Sequence, residues 1–161
     1  MIDLWVELVR GGRAVAHEWA NERIATMPDG RSDAPSSLSH HRDWLAIGVS
    51  SAERLGVDVL AVPSNADFVN DTALVLSATE IEWIRAHSAD LRGVAFAECW
   101  TRKEAYAKWR GTGLTADLRC LTLTPVSDDA TVVFWTARVA DAFVTVASDG
   151  PEPPDVRIHH R

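Results

Sequence analysis

Trp100-Thr101-Arg102-Lys103-Glu104-Ala105-Tyr106-Ala107-Lys108-Trp109-Arg110-Gly111-Thr112-Gly113-Leu114 reads as a helix with a charged stripe, stopped by glycine. No proline interrupts the chain from Arg92 to Leu114, and Gly111 and Gly113 stand where a left-handed C-terminal cap belongs. These signals predict a helix from about Gly93 to Arg110. At about 100° per residue, Ala95, Cys99, Tyr106 and Trp109 fall on one side, the expected core face, with Arg102 among them. Trp100, Glu104 and Lys108 form a second stripe nearly opposite Tyr106. One turn separates Glu104 from Lys108, so their heads share a space roughly 6 Å apart along the axis. On an exposed face such a pair is an i,i+4 salt bridge contributing only tenths of a kcal/mol. In a site, the same carboxylate and ammonium hold a divalent cation and a phosphate together.

At 161 residues the chain has the size of one domain with a real core. Its 47% hydrophobic and 24% charged residues match a globular protein. No apolar run approaches a membrane span and Met-Ile-Asp-Leu-Trp is no leader, so the expectation is a cytoplasmic protein with no membrane partner. Cys99 and Cys120 suit a reducing compartment as buried thiols. A formal charge of −7 argues against nucleic-acid binding. From Arg92 to Arg119, however, six basic residues face three acidic ones, a local +3 that leaves −10 for the remainder. That is either ordinary helix patterning or a surface for an anionic ligand or acidic partner.

Working outward, Ile2 to Val9 reads as a strand turned by Gly11-Gly12, and Arg13 to Met27 as a helix ended by Pro28. Pro28 to Ser37 and Ser64 to Asp71 have loop composition. Trp44 to Val49 and Leu55 to Val62 look like two paired strands. Ser77-Ala78-Thr79-Glu80 has capping-box form and starts a helix to about His87, with Ile81, Ile84 and Trp83 turned inward. Cys120 to Thr124, Thr131 to Val139 and Phe143 to Ala147 read as strands, and Pro151 to Arg161 as a loose tail. The fold class is α+β, antiparallel strands packed against a long helix.

Within Leu55-Gly56-Val57-Asp58-Val59 a single carboxylate interrupts an apolar strand, so Asp58 must be paired, hydrogen-bonded or metal-bound. Gly56 and Asp58 also fit a simple turn at a strand end. With Glu104, Asp58 supplies two oxygen donors, which suits Mg²⁺ completed by phosphates and water. In Ser39-His40-His41 neighbouring side chains point to opposite faces, and no further ligand lies at zinc spacing. A hydroxyl and imidazole binding phosphate, or a solvated loop, are the readings left. His159 and His160 read as solvent-exposed and unrelated.

Ser39-His40, Gly56-Val57-Asp58-Val59, and Trp100-Thr101-Arg102-Lys103-Glu104-Ala105 with Lys108 and Gly111-Thr112-Gly113-Leu114 resemble, in order and spacing, the motif series of the 4′-phosphopantetheinyl transferases. The spacing is similar to the larger, surfactin-synthetase-associated branch, and the match runs from about Gly30 to Ala147. The resemblance implies that fold, with a reduced first lobe (1–54), a full second lobe (55–150) and the tail (151–161) in one domain. It implies transfer of 4′-phosphopantetheine from coenzyme A to a serine of an acyl or peptidyl carrier protein, releasing 3′,5′-ADP, as in polyketide, nonribosomal peptide or fatty acid biosynthesis. Asp58 and Glu104 then hold Mg²⁺, Glu104 and Lys108 are catalytic, and Arg31, Ser39, His40, Lys103 and Lys108 bind the coenzyme. Arg110 and Arg119 face the carrier.

Two departures stand out. Leu60 occupies the last position of the family's Gly-x-Asp-x-Glu, removing one carboxylate, and only about fifty residues precede Gly56. The short first lobe suggests self-association, a second copy covering what is missing. A non-catalytic homologue that binds coenzyme A or a carrier protein is the alternative function, and a plain α+β interaction module the reading without the resemblance.

Overall fold

Two small sheets lie face to face, and helices cover their outer sides. The computed structural model describes residues 1–8, 12–25, 34–51, 54–63, 75–114 and 116–159. In chain order these form β1 (Ile2–Leu8), α1 (Gly12–Ala25), β2 (Ser36–His41), β3 (Trp44–Ser50), β4 (Leu55–Ala61), α2 (Ala78–Ala86), α3 (Arg92–Arg110), a 3₁₀ turn (Ala116–Cys120), β5 (Val132–Val139), β6 (Ala142–Asp149) and β7 (Val156–His159). The first sheet has the order β2-β3-β1-β7 and the second β4-β6-β5. All neighbours are antiparallel except β1 and β7, which run parallel.

Strand alternation sorts the apolar residues into layers. Trp44 and Ala46 of β3 join Leu4 and Val6 of β1 against Val57, Val59, Val144 and Val146 of the second sheet. The alternate residues Leu45, Ile47 and Val49 turn outward onto Trp19 and Ala20 of α1. The far face of the second sheet carries Leu60, Phe143 and Ala147 into two clusters beneath α2 and α3. Among the described residues the order of layers is therefore helix, sheet, sheet, helices, in agreement with the α+β expectation.

The central helix follows its sequence signals closely. Ala95, Cys99, Tyr106 and Trp109 are all buried, and Gly111 ends α3 at φ 69°, with its N–H donating to the carbonyls of Ala107 and Lys108. Ser77 and Glu80 form the expected reciprocal capping box at the start of α2.

Four expectations are corrected. β3 and β4 do not pair with each other: each is buried on both faces, and they belong to different sheets. Cys120 to Thr124 is not a strand, because side chains rather than a neighbouring strand take up its backbone groups: Glu80 accepts from the Leu123 amide and Asp128 from that of Thr122. The tail is not loose, since β7 pairs with β1, and His159 stacks on Trp5 with Nε2 3.0 Å from Asp3 Oδ1. Cys99 is buried, but Cys120 is exposed. No helix among the described residues is long and apolar enough to cross a membrane.

Candidate active site

Gly56 brings the site together. A Cβ at this position would lie 1.9 Å from the Ala105 carbonyl oxygen and 2.7 Å from the Trp109 backbone nitrogen. Only a residue without a side chain lets α3 rest directly on β4. The Gly-x-Asp spacing therefore serves close packing rather than a turn. Two residues on, Asp58 faces the same side, beneath the helix turn that carries Glu104 and Lys108.

Asp58 is 5% exposed. Its Oδ1 accepts from Lys108 Nζ at 2.8 Å and from Ser39 Oγ at 2.7 Å. Lys108 Nζ also donates to the Val57 carbonyl at 2.9 Å. Burial pushes the Asp58 carboxyl up, and the Lys108 ammonium and Ser39 hydroxyl pull against that push. Glu104 is half-buried and pushed up to about 7, first by burial and then by the charge of Asp58, with Lys108 opposing. The two carboxyls are thus close enough to repel, the condition a shared cation relieves. Two carboxylate donors suit a hard divalent ion whose remaining positions go to water and phosphate oxygens. Among the described residues no group of three or more His, Cys, Asp or Glu side chains converges on one point. Leu60, at the position of the family's further carboxylate, instead packs with Leu76, Phe96 and Phe143.

β2 reaches the site from the other sheet. Ser37 Oγ accepts from the Val57 amide at 2.9 Å, and His41 Nδ1 from the Ala61 amide at 3.1 Å. With Ser39 between them, these alternate side chains line the free edge of β4. Burial, then Arg42, lowers the His41 pKa, which preserves the lone pair that Ala61 uses. His40, one residue from Ser39, points away and is exposed.

The expected residues therefore divide. Asp58, Glu104, Lys108 and Ser39 come together, and His40 lies at the surface of the same strand. Lys103, expected to bind the coenzyme, lies apart from them: it is fully buried, its Nζ is 3.0 Å from Glu80 Oε2, and it donates to the carbonyls of Leu118 and Leu121. One residue of helical rotation turns it away from the Glu104 stripe and into the core. Arg31 lies outside the described residues. Sequence reasoning missed Ser37 and His41 as structural partners of the site and Glu80 as the buried partner of Lys103. The alternation of Ser37, Ser39 and His41 carries the first two, and the capping box the third.

A family profile described as the 4′-phosphopantetheinyl transferase superfamily matches residues 54–157. The chain is also 37% identical over 92 residues to an L-aminoadipate-semialdehyde dehydrogenase-phosphopantetheinyl transferase of Eremothecium gossypii, a match covering 53% of this chain and 33% of that protein. The chain thus spans about a third of this relative's length. The profile match takes in β4 and α3, which carry Asp58, Glu104 and Lys108, and covers more than half of the chain, so the chain belongs to the 4′-phosphopantetheinyl transferase superfamily.

Proposed function

We propose that this protein transfers the 4′-phosphopantetheine group of coenzyme A to a serine of an acyl or peptidyl carrier protein, with Mg²⁺ held by Asp58 and Glu104. The observation that carries the reading is the gathering of two carboxyls and one ammonium where α3 crosses β4, with Glu104 near neutrality. A bound Mg²⁺ supplies neutralisation of the diphosphate charge. Glu104 accepts the proton of the carrier serine, whose oxygen bonds to the phosphorus bearing the pantetheine arm. The bond from that phosphorus to the bridging diphosphate oxygen breaks, and 3′,5′-ADP leaves. Lys108 stabilises phosphate charge, and positioning with electrostatics provides most of the acceleration. His40 and Arg31 meet the coenzyme, while Ser39 orients Asp58. Residues 1–54 together with β7 form the first lobe and 55–150 the second.

The test is a mass measurement on apo-acyl and apo-peptidyl carriers incubated with the protein, coenzyme A and Mg²⁺. Each carrier should gain the phosphopantetheine mass, and Asp58→Asn and Glu104→Gln should lose that activity. No gain on any carrier, with coenzyme A still bound, favours the second reading, a non-catalytic binder. Leu60 in an apolar cluster is the feature that favours it. Self-association is a separate proposal, tested by sedimentation. Among the described residues both faces of the first sheet are already covered, by α1 and by the second sheet.

A further inference from the structure

Asp58 is a buried carboxylate neutralised by a cation the chain supplies itself. Lys108 Nζ lies 2.8 Å from Asp58 Oδ1 and 2.9 Å from the Val57 carbonyl oxygen, and Ser39 Oγ donates to the same Oδ1 at 2.7 Å. We propose that Lys108 is an internal stand-in for the divalent cation, holding Asp58 in the metal-free protein and leaving Oδ1 when the ion binds. The inference rests on the magnesium reading given above.

Charge, exposure and flexibility favour an exchange over a permanent bridge. A divalent ion ligated by Asp58 sits about 2.1 Å from its oxygen. An ammonium hydrogen-bonded to that same oxygen then brings three positive charges into one small space. The mobile partner is evident from exposure, since the Lys108 side chain is 29% exposed and that of Asp58 8%. Lysine carries a point charge on a flexible four-carbon stem, so its head can swing outward while Asp58 stays fixed by Ser39 and the strand. Ser39, a neutral donor, is compatible with either cation.

The exchange also couples two ligands. An ion that takes Asp58 releases an ammonium, and a phosphate that takes the ammonium frees Asp58. Each therefore favours the other, as any two ligands that bias the same equilibrium must. Without phosphate the ion competes with a cation already in place, and its affinity is correspondingly low.

Mn²⁺ binding to the full chain without coenzyme, at pH 8.5 so that carboxyls are ionised, tests this by the electron paramagnetic resonance signal of free Mn²⁺. Lys108→Met should bind Mn²⁺ about tenfold tighter than wild type or better, about the effect of removing one adjacent unit charge at partial burial. Asp58→Asn should lose binding. Melting provides a second readout: Lys108→Met should melt lower than wild type in chelator and gain more from Mn²⁺. Lys108→Gln, which retains a neutral donor, takes its place if the methionine variant does not fold. Binding by the Lys108 variants no tighter than wild type, with Asp58-dependent binding present, overturns the inference and leaves the magnesium reading intact. Absence of any Asp58-dependent Mn²⁺ binding, in wild type and variants alike, overturns both.

Discussion

Gly56 on β4 and Ala105 on α3 touch backbone to backbone: a single added methyl at Gly56 would lie 1.9 Å from the Ala105 carbonyl oxygen. Neither strand nor helix backbone can yield locally, so the helix would have to lift. Gly56→Ala should therefore cost about 3 kcal/mol or more, at the upper end of overpacking substitutions. It should also separate Lys108 from Asp58. Urea unfolding checks the first effect, and loss of transfer in the folded fraction the second.

Lys103→Met removes one partner of a fully buried ion pair and leaves Glu80 in the core without its cation. Breaking such a pair from one side costs about 3–5 kcal/mol. The folded fraction should nevertheless bind coenzyme A with wild-type affinity, because Lys103 faces Leu118 and Leu121 rather than Asp58. A weakened coenzyme affinity at unchanged stability would place Lys103 at the coenzyme instead.

Glu104 keeps its proton up to about 7 in the folded chain, against an ordinary value of 4.5, because burial and then Asp58 disfavour its charge. Between those two values the folded state holds a proton that the unfolded chain has released, so this carboxyl stabilises less as pH rises through the window. His41, held below its ordinary value by burial, acts in the opposite direction. The urea midpoint of wild type relative to Glu104→Gln, in metal-free buffer, isolates the carboxyl: the difference should fall from pH 4.5 to 7. Transfer should rise through the same region and do so at lower pH when Mg²⁺ is saturating.

Ser39 and His40 are neighbours with opposite roles. Ser39→Ala strips a buried carboxylate of a donor and should cost about 1.5–3 kcal/mol, the range for hydrogen bonds to charged groups. His40→Ala, at an exposed position, should change stability by less than about 0.5 kcal/mol and weaken coenzyme A binding. Equal effects of the two substitutions on both measurements would remove the distinction.

Leu60→Glu restores the family's carboxylate but sets it among Leu76, Phe96 and Phe143. In metal-free buffer this variant should lose several kcal/mol, about the cost of an unpaired buried charge after relaxation. Added Mg²⁺ should recover part of the loss and activity should rise above wild type. A variant that Mg²⁺ leaves as unstable as before would show that position 60 does not reach the ion.

The long helix and its cap were legible because local rules set them: an apolar stripe, no proline, and a glycine able to adopt φ 69° at position 111. The convergence of Asp58 with Glu104 and Lys108 came through motif order, since spacing alone does not say which strand a helix covers. Strand partners were less legible. β3 and β4 are fully buried runs, and such runs carry no alternation to reveal which sheet they join. β7 is four residues long beside prolines, and its pairing with β1 spans nearly the whole chain. The basic excess from Arg92 to Arg119 overstated the surface. Lys103 is spent on Glu80, Lys108 on Asp58, and Arg102 on Glu98 and the Leu123 carbonyl. Arg110 and Arg119 remain exposed.

Three alternate polar side chains of β2, Ser37, Ser39 and His41, have one more effect. β4 is the outermost strand of its sheet, and a bare margin of amides is a template on which a foreign strand can grow. Ser37 and His41 occupy the Val57 and Ala61 amides, and Ser39 lies between them on the Asp58 carboxylate. The contacts that hold Asp58 in place thereby also guard the protein against misassembly, so substitutions along β2 are expected to raise aggregation as well as to impair the site.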